Sequence, residues 1–265
     1  MSSSSSAGEL RVDEPAPGVA RLTISNPTRR GALDQAILDG LAATMPALDV
    51  RCVIITGEGS TFSAGYDIAD LPEAVFADEA ERFVAHPFAA AIDAVDTYPY
   101  PTLAALNGHA IGGGLELALA CDLRIAADSV TLGMPPAKLG LVYSHTGIRK
   151  FIDAIGAPRT RELFLVGRRI DAATGHRWGL VNSLVAPERL ADAAVELACE
   201  ISVNAPLAQR GNKRVIEALL AGRGTLAPAV RDELLSLRHN SFRSDDFREG
   251  VRAFAAKRPP EWTGR

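Results

Sequence analysis

The 265-residue chain has little cysteine, little aromatic residue and no excess of one charge. Its three cysteines, Cys52, Cys121 and Cys199, stand in apolar surroundings, show no metal-ligand spacing and cannot all pair. They read as small core residues in a reducing compartment, which argues against a disulfide-framed fold and a cysteine-held metal. Twenty-eight Lys and Arg against 32 Asp and Glu leave a net charge of −4, with the cations dispersed. That argues against nucleic acid or an acidic membrane surface as the main partner. No apolar run approaches the roughly 20 residues needed to cross a bilayer. The opening MSSSSSAGEL has no basic segment followed by an apolar one, so no secretory signal is read, and residues 1–8 are expected to be a disordered leader. The expectation is a soluble, cytoplasmic protein.

What is present is an ordinary globular composition, 47% hydrophobic and 23% charged, in a chain long enough to bury a large core. VARLTISNP (19–27) alternates as a half-buried strand does, and RCVIITGEG reads as a buried strand ending in a glycine turn. QAILDGLAATMPAL between them is a plausible helix. PTLAALNG and CDLRIAA read as further short strands, with a glycine-led helix between them. From Pro158 onward the pattern is mainly helical, as in PERLADAAVELACEIS, where Leu190, Ala194, Leu197 and Ile201 recur at helical spacing. Strands interleaved with helices and then a helical tail predict an α/β core with a helical C-terminal extension. The tail has apolar faces without strands to cover them, which suits packing on another subunit.

The most informative stretch is GHAIGGGLELALACDLRIAA (108–127), where three glycines precede an apolar helix that contains one acid, Glu116. Glycines at such a junction permit close backbone approach, and the first helical N–H groups lack internal partners, so the junction suits a negatively charged oxygen. Glu116 then either complements the helix dipole or transfers a proton. The glycines miss the G-x-G-x-x-G spacing of a dinucleotide site, so no nicotinamide cofactor is expected.

A second glycine-bearing segment, GEGSTFSAGYDIADL (57–71), follows the strand at Cys52–Thr56. FSAGYDI and NGHAIGGGLELALACDLRIA together resemble the two signature segments of the crotonase (enoyl-CoA hydratase/isomerase) superfamily. NPTRRGAL (26–33) resembles its N-terminal CoA-contacting motif, and residues 157–185 and 244–262 resemble its later segments. The likeness covers roughly residues 9 to 262. It implies an α/β crotonase (ClpP-like) spiral of ββα units over 9–200. A helical C-terminal trimerisation extension would follow over 201–265, giving a homotrimer or a hexamer built as a dimer of trimers. The substrate would be an acyl-CoA thioester, with no metal and no further cofactor.

By motif match, the backbone N–H groups of Tyr66 and Gly113 would bind the thioester oxygen and stabilise the anion that forms on it. Ala64, Asp67 and Ile68 lie in the same motif as substrate contacts, and Arg29, Arg30 and Lys257 match positions that face the CoA phosphates. Any one of these cations could equally be a solvated surface charge. Glu116 matches one of the two catalytic glutamates of the hydratases. The second belongs in a QPE stretch, and here the corresponding residue is Pro136, which cannot transfer a proton. No Asp or Glu occurs from Ser129 to Lys150 to replace it.

The stretch MPPAKLGLVYSHTGIRKF (134–151) resembles the methylmalonyl-CoA decarboxylase branch, with Tyr143 at the place of that branch's tyrosine. Tyr66 departs from it, since a histidine is usual there. The resemblance favours decarboxylation of methylmalonyl-CoA or a similar malonyl-type thioester, the Tyr143 hydroxyl orienting the substrate carboxylate. Glu116, held protonated by its apolar setting, would supply a proton, or else repel the carboxylate. The alternatives are a hydratase, isomerase or thioesterase using Glu116 alone, with His145 as a possible second group, and a non-catalytic acyl-CoA binding protein. His109 and His86 read as structural, and Asp67 suits a helix cap.

Overall fold

The structure, a computed structural model, describes residues 7–66, 86–139, 141–222 and 227–265. The chain opens with an antiparallel pair, β1 (Glu9–Ala16) and β2 (Val19–Ser25). The largely exposed β1 lacks the apolar alternation that marks β2, which is why sequence pattern reveals only the second. Gly8, inside the expected leader, is buried and donates its N–H to Asp34 Oδ2 at 2.6 Å. Residues 1–6 lie outside the described residues.

The two-residue β3 (Ala32–Leu33) and helix α1 (Gln35–Thr44) follow, the helix capped by the Asp34 side chain accepting from the Ile37 N–H. Then come β4 (Cys52–Gly57), β5 (Thr61–Ser63), β6 (Gly65–Tyr66) and α2 (His86–Asp96). From there the chain repeats one theme. β7 (Thr102–Leu106) and β8 (His109–Ile111) lead into α3 (Gly113–Ala120), and β9 (Leu123–Ala127) and β10 (Thr131–Gly133) lead toward α4 (His145–Arg161).

Each turn places its first strand in one sheet and its second in another. Among the described residues the larger sheet runs β1-β2-β4-β7-β9 and ends on β12 (Ser183–Val185), parallel throughout except for β1. The second runs β5-β8-β10 and ends on an antiparallel β11 (Arg169–Asp171). The result is an α/β spiral of strand–strand–helix units. β4 and β7 are apolar almost throughout because both faces of a central parallel strand are covered. β11 and β12 add two short strands to a stretch beyond Pro158 that is otherwise mainly helical, as the sequence pattern implies. Three-residue strands are too short to carry a readable period.

Helix α5 (Ala172–Trp178) precedes β12, and α6 (Leu190–Ser202) lays Leu190, Ala194, Ala198 and Ile201 against the larger sheet. Three helices complete the chain: α7 (Pro206–Ala221), α8 (Pro228–Arg243) and α9 (Asp245–Ala256). Arg214 on α7 makes a two-pronged ion pair with Glu233 on α8, at 2.7 and 2.8 Å. The last residues fold back on this layer. The buried Asp246 carboxylate accepts the Thr263 N–H at 2.6 Å, and Trp262 donates its indole N–H to Val203 O at 2.6 Å. Ile216, Leu235, Phe247 and Val251 on these helices remain exposed.

Candidate active site at the glycine junction of α3

Two glycine-bearing segments meet at the N-terminus of α3 because neither carries a side chain at the crossing. Gly65 has φ +93°, and a Cβ there would lie 2.8 Å from Ile111 O and 3.1 Å from Gly113 N. A Cβ on Gly114 would lie 2.5 Å from Ser63 O. Both contacts are with backbone, which cannot step aside as a flexible side chain can. Gly113 supplies the first N–H of α3, a position without an intrahelical acceptor.

The NPTRRGAL segment joins the same edge. β3 pairs in parallel with β6, Leu33 opposite Tyr66, and the Ala64 N–H donates to Arg30 O at 3.1 Å. Arg30 itself is exposed. Thus three stretches far apart in sequence, holding Arg29, Arg30, Ala64, Tyr66 and Gly113, are brought together. Asp67 and Ile68 lie outside the described residues. Lys257 is exposed beyond the C-terminal end of α9.

Glu116, in the first turn of α3, is only 3% exposed. An acid that merely complements a helix dipole has no need of such burial, since solvent would lower its cost. The Tyr143 hydroxyl, arriving from the segment before α4, donates to Glu116 Oε2 at 2.5 Å. Burial raises the Glu116 pKa above the usual carboxylate range, while this hydrogen bond and the nearby Lys150 ammonium pull it back and Asp96 pushes it up. Burial also raises Tyr143, helped by the Glu116 charge.

The Tyr143 hydroxyl therefore faces Glu116 rather than standing free for a substrate carboxylate. Its ring packs edge-on against Phe164, with centroids 5.6 Å apart, and Phe164 packs in turn on Phe151 at 5.0 Å. The Tyr66 ring packs edge-on against Phe88 at 4.4 Å and covers Gly113, where a Cβ would lie 3.3 Å from it.

Tyr66 and Glu116 line a cavity of about 1040 Å³. This exceeds the smaller ligand pockets and suits a long, flexible acyl group. Its side walls are α2, through Phe88, Ile92 and Asp96 at four-residue spacing, and α4, through Lys150. Lys150 and Asp96 form an ion pair across it, and burial raises the Asp96 pKa while Lys150 lowers it.

Pro136 is buried in a short 3-10 turn, Pro136–Leu139. His145 is exposed at the start of α4 and is not part of the cavity wall, so the structure does not bring it to Glu116. His109 is structural: its Nδ1 accepts the Thr131 N–H at 3.1 Å. Sequence reasoning missed Asp96, Lys150 and the Tyr66 ring. The four-residue spacing on α2 was a usable signal, though only the fold says which cavity that face meets.

The sequence matches the family described as Enoyl-CoA hydratase/isomerase over residues 14–265. The chain belongs to the enoyl-CoA hydratase/isomerase family. It is 35% identical over 253 residues to a Mycobacterium bovis protein named "Probable enoyl-CoA hydratase echA8", covering 93% of this chain and 95% of that one. It is 38% identical over 223 residues to the carnitinyl-CoA dehydratase of Salmonella arizonae, covering 81% and 82%. Among solved structures it is similar to the enoyl-CoA hydratase of Bacillus anthracis, with TM-score 0.85 and 31% identity over 97% of this chain and 100% of that one. These relatives support an acyl-CoA-processing enzyme and favour hydratase or dehydratase names over the decarboxylase branch. Among the described residues no helix is long and apolar enough to cross a membrane.

Proposed function

We propose that the chain is an enzyme of acyl-CoA thioesters in which Glu116 is the single acid–base group, acting as an enoyl-CoA isomerase in preference to a hydratase. The carrying observation is a buried Glu116 held by Tyr143; the sequence resemblance adds Pro136 at the motif position of the second glutamate. The thioester oxygen rests between the Tyr66 and Gly113 N–H groups. Arg29, Arg30 and Lys257 face the CoA phosphates, and Ala64, Asp67 and Ile68 bound the substrate.

The chemistry follows from one proton and one carboxylate. Ionised Glu116 removes a proton from the carbon next to the thioester of a 3-enoyl-CoA. The electron pair passes to the thioester oxygen, where the two N–H groups stabilise the enolate. Glu116 then returns the same proton to the far end of the conjugated system, leaving a 2-enoyl-CoA. Nothing is gained or lost, so no second carboxyl is required. Hydration must also deliver hydroxide, and without a carboxyl at position 136 it loses a contribution on the order of 10²–10⁴-fold.

Decarboxylation of a methylmalonyl-type thioester is the second reading, favoured by Pro136 and by a Glu116 pKa raised toward proton donation. Against it stands the Tyr143 hydroxyl, already given to Glu116. The exposed apolar residues of α7 to α9 support the trimer or hexamer implied by the sequence resemblance.

The test is to incubate the protein in deuterated water with 3-enoyl-, 2-enoyl- and methylmalonyl-CoA and analyse the thioesters by mass spectrometry. Interconversion of the two enoyl isomers with negligible water addition is expected. Loss of CO₂ from methylmalonyl-CoA without isomerisation replaces the first reading with the second. Binding without any turnover leaves an acyl-CoA binding protein.

A further inference from the structure

Gly147, the third residue of α4, is buried against both members of the Glu116–Tyr143 pair. A Cβ on Gly147 would lie 2.8 Å from Glu116 Oε1, 2.9 Å from Glu116 Cδ and 2.7 Å from Tyr143 Cε1. Real side chains do not approach so closely. The backbone gives no separate reason for glycine, because Gly147 is not among the described residues with positive φ. Its N–H is used in an ordinary cap, donated to Ser144 Oγ at 3.1 Å. Glycine is also a poor choice for a helix, since it loses more freedom on ordering than other residues. What it supplies here is space.

We propose that Gly147 is a positioning residue, whose missing side chain lets the Glu116 carboxyl and the Tyr143 hydroxyl meet against the first turn of α4.

A methyl group at 147 would meet both partners at once. Glu116 leaves α3 among buried residues, including Leu115 and Leu117, to reach the cavity wall, and the Tyr143 ring is backed by Phe164, itself packed on Phe151. A methyl group at 147 therefore displaces the carboxyl toward the cavity and the tyrosine ring away from it, weakening the bond between them. It also pushes the carboxyl away from the N-terminal turn of α4, whose partial positive charge favours the ionised form. Both displacements remove support from the carboxylate while leaving burial in place. The protonated form then persists to higher pH, and the base is less available at neutral pH.

The inference rests on the reading of Glu116 as the acid–base group for its kinetic consequence, though its geometric part can be tested without turnover. In the full chain labelled with ¹³C at glutamate carboxyls, the Glu116 resonance is assigned by its loss in Glu116→Gln. Its titration midpoint is then compared between wild type and Gly147→Ala. The midpoint is expected to rise by about 0.5 pH unit or more, a roughly threefold change in proton affinity. With enoyl-CoA, kcat is expected to fall about tenfold, its pH profile shifting in the same direction, with KM within about twofold.

An unchanged titration in folded Gly147→Ala overturns the proposal even in an active enzyme. A shifted titration in a protein that turns over no thioester supports the positioning role and removes the catalytic reading instead. Should Gly147→Ala fail to fold, the same substitution is made in a Glu116→Ala, Tyr143→Ala background, where both truncated side chains leave room. Recovery of folding there supports the clash with this pair, and failure to recover overturns it.

Discussion

Helix α3 and helix α9 are both short and both carry apolar residues, yet they end in opposite environments. Seven of the eight residues of α3 are buried, including its glutamate. On α9, Phe247 is 44% and Val251 56% exposed, and neighbouring concave surface of about 420 Å³ between them, Leu207 and Trp262 stays open. The difference lies in what each helix meets within its own chain. α3 is enclosed by α2, α4 and strands of the spiral. α9 packs on α8 and the returning tail, and Phe247 and Val251 stay exposed. The spacing of the groups around Glu116 is set by packing of α2, α3 and α4 within one chain. The exposed apolar residues of the outer helices are the surface on which the proposed assembly with further copies of the chain rests.

The comparison is broken most severely at Glu116. Glu116→Gln keeps the size and the acceptor for Tyr143 but loses the proton, so turnover of enoyl-CoA should fall by about 10²–10⁴-fold. The same variant should be more stable than wild type at neutral pH. Burial raises the native pKa of Glu116 above its unfolded value, so the native state holds this proton more tightly. That contribution is complete below the unfolded pKa and is lost as pH rises through the native one. Glutamine does not lose it. Thermal melts should show the gap in favour of Glu116→Gln close on acidification, and a gap that widens toward low pH contradicts the assignment.

Next in size is the backbone crossing beneath α3. Gly114→Ala places a methyl against Ser63 O, where no rotamer change relieves the contact. A loss of about 3 kcal/mol is expected in denaturant titrations. A loss below about 0.5 kcal/mol, the scale of a neutral surface change, means that the two segments can part without cost.

Tyr143→Phe removes a donor to a carboxylate, worth roughly 1.5–3 kcal/mol. The lost donor should move the Glu116-dependent limb of the kcat profile upward in pH, with kcat lowered at neutral pH and KM little changed. An unmoved limb reduces Tyr143 to packing.

The smallest effect within one chain is expected on α9. Phe247→Ser with Val251→Ser should alter the unfolding free energy of the isolated chain by less than about 1 kcal/mol, as exposed sites usually do. Light scattering should nevertheless show a shift from trimer toward monomer. A wild-type monomer at micromolar concentration removes the role given to these helices.

Much of this is legible in the sequence alone, for local reasons. The glycine run before an apolar helix, the strand that ends in GEG, and the proline where an acid belongs are each written within a few consecutive residues. They report backbone geometry and side-chain chemistry that do not depend on distant partners, and matching motifs extend them into a family and a spiral. The edge strand β1 and the three-residue β11 and β12 carry too little pattern to be read this way, since neighbours across the sheet hold them in place.

Sequence also named Glu116 and Tyr143, but attached the hydroxyl to a substrate and left His145 as a possible partner. Only tertiary structure turned Tyr143 onto a carboxyl 27 residues away and left His145 in solvent. It likewise paired Lys150 with Asp96, 54 residues apart, and set Gly147 where a methyl group would press on both the Glu116 carboxyl and the Tyr143 ring. Residue type states what a group can donate or accept. Which partner it meets is a matter of ångströms, decided by the packing of α2, α3 and α4 around one cavity.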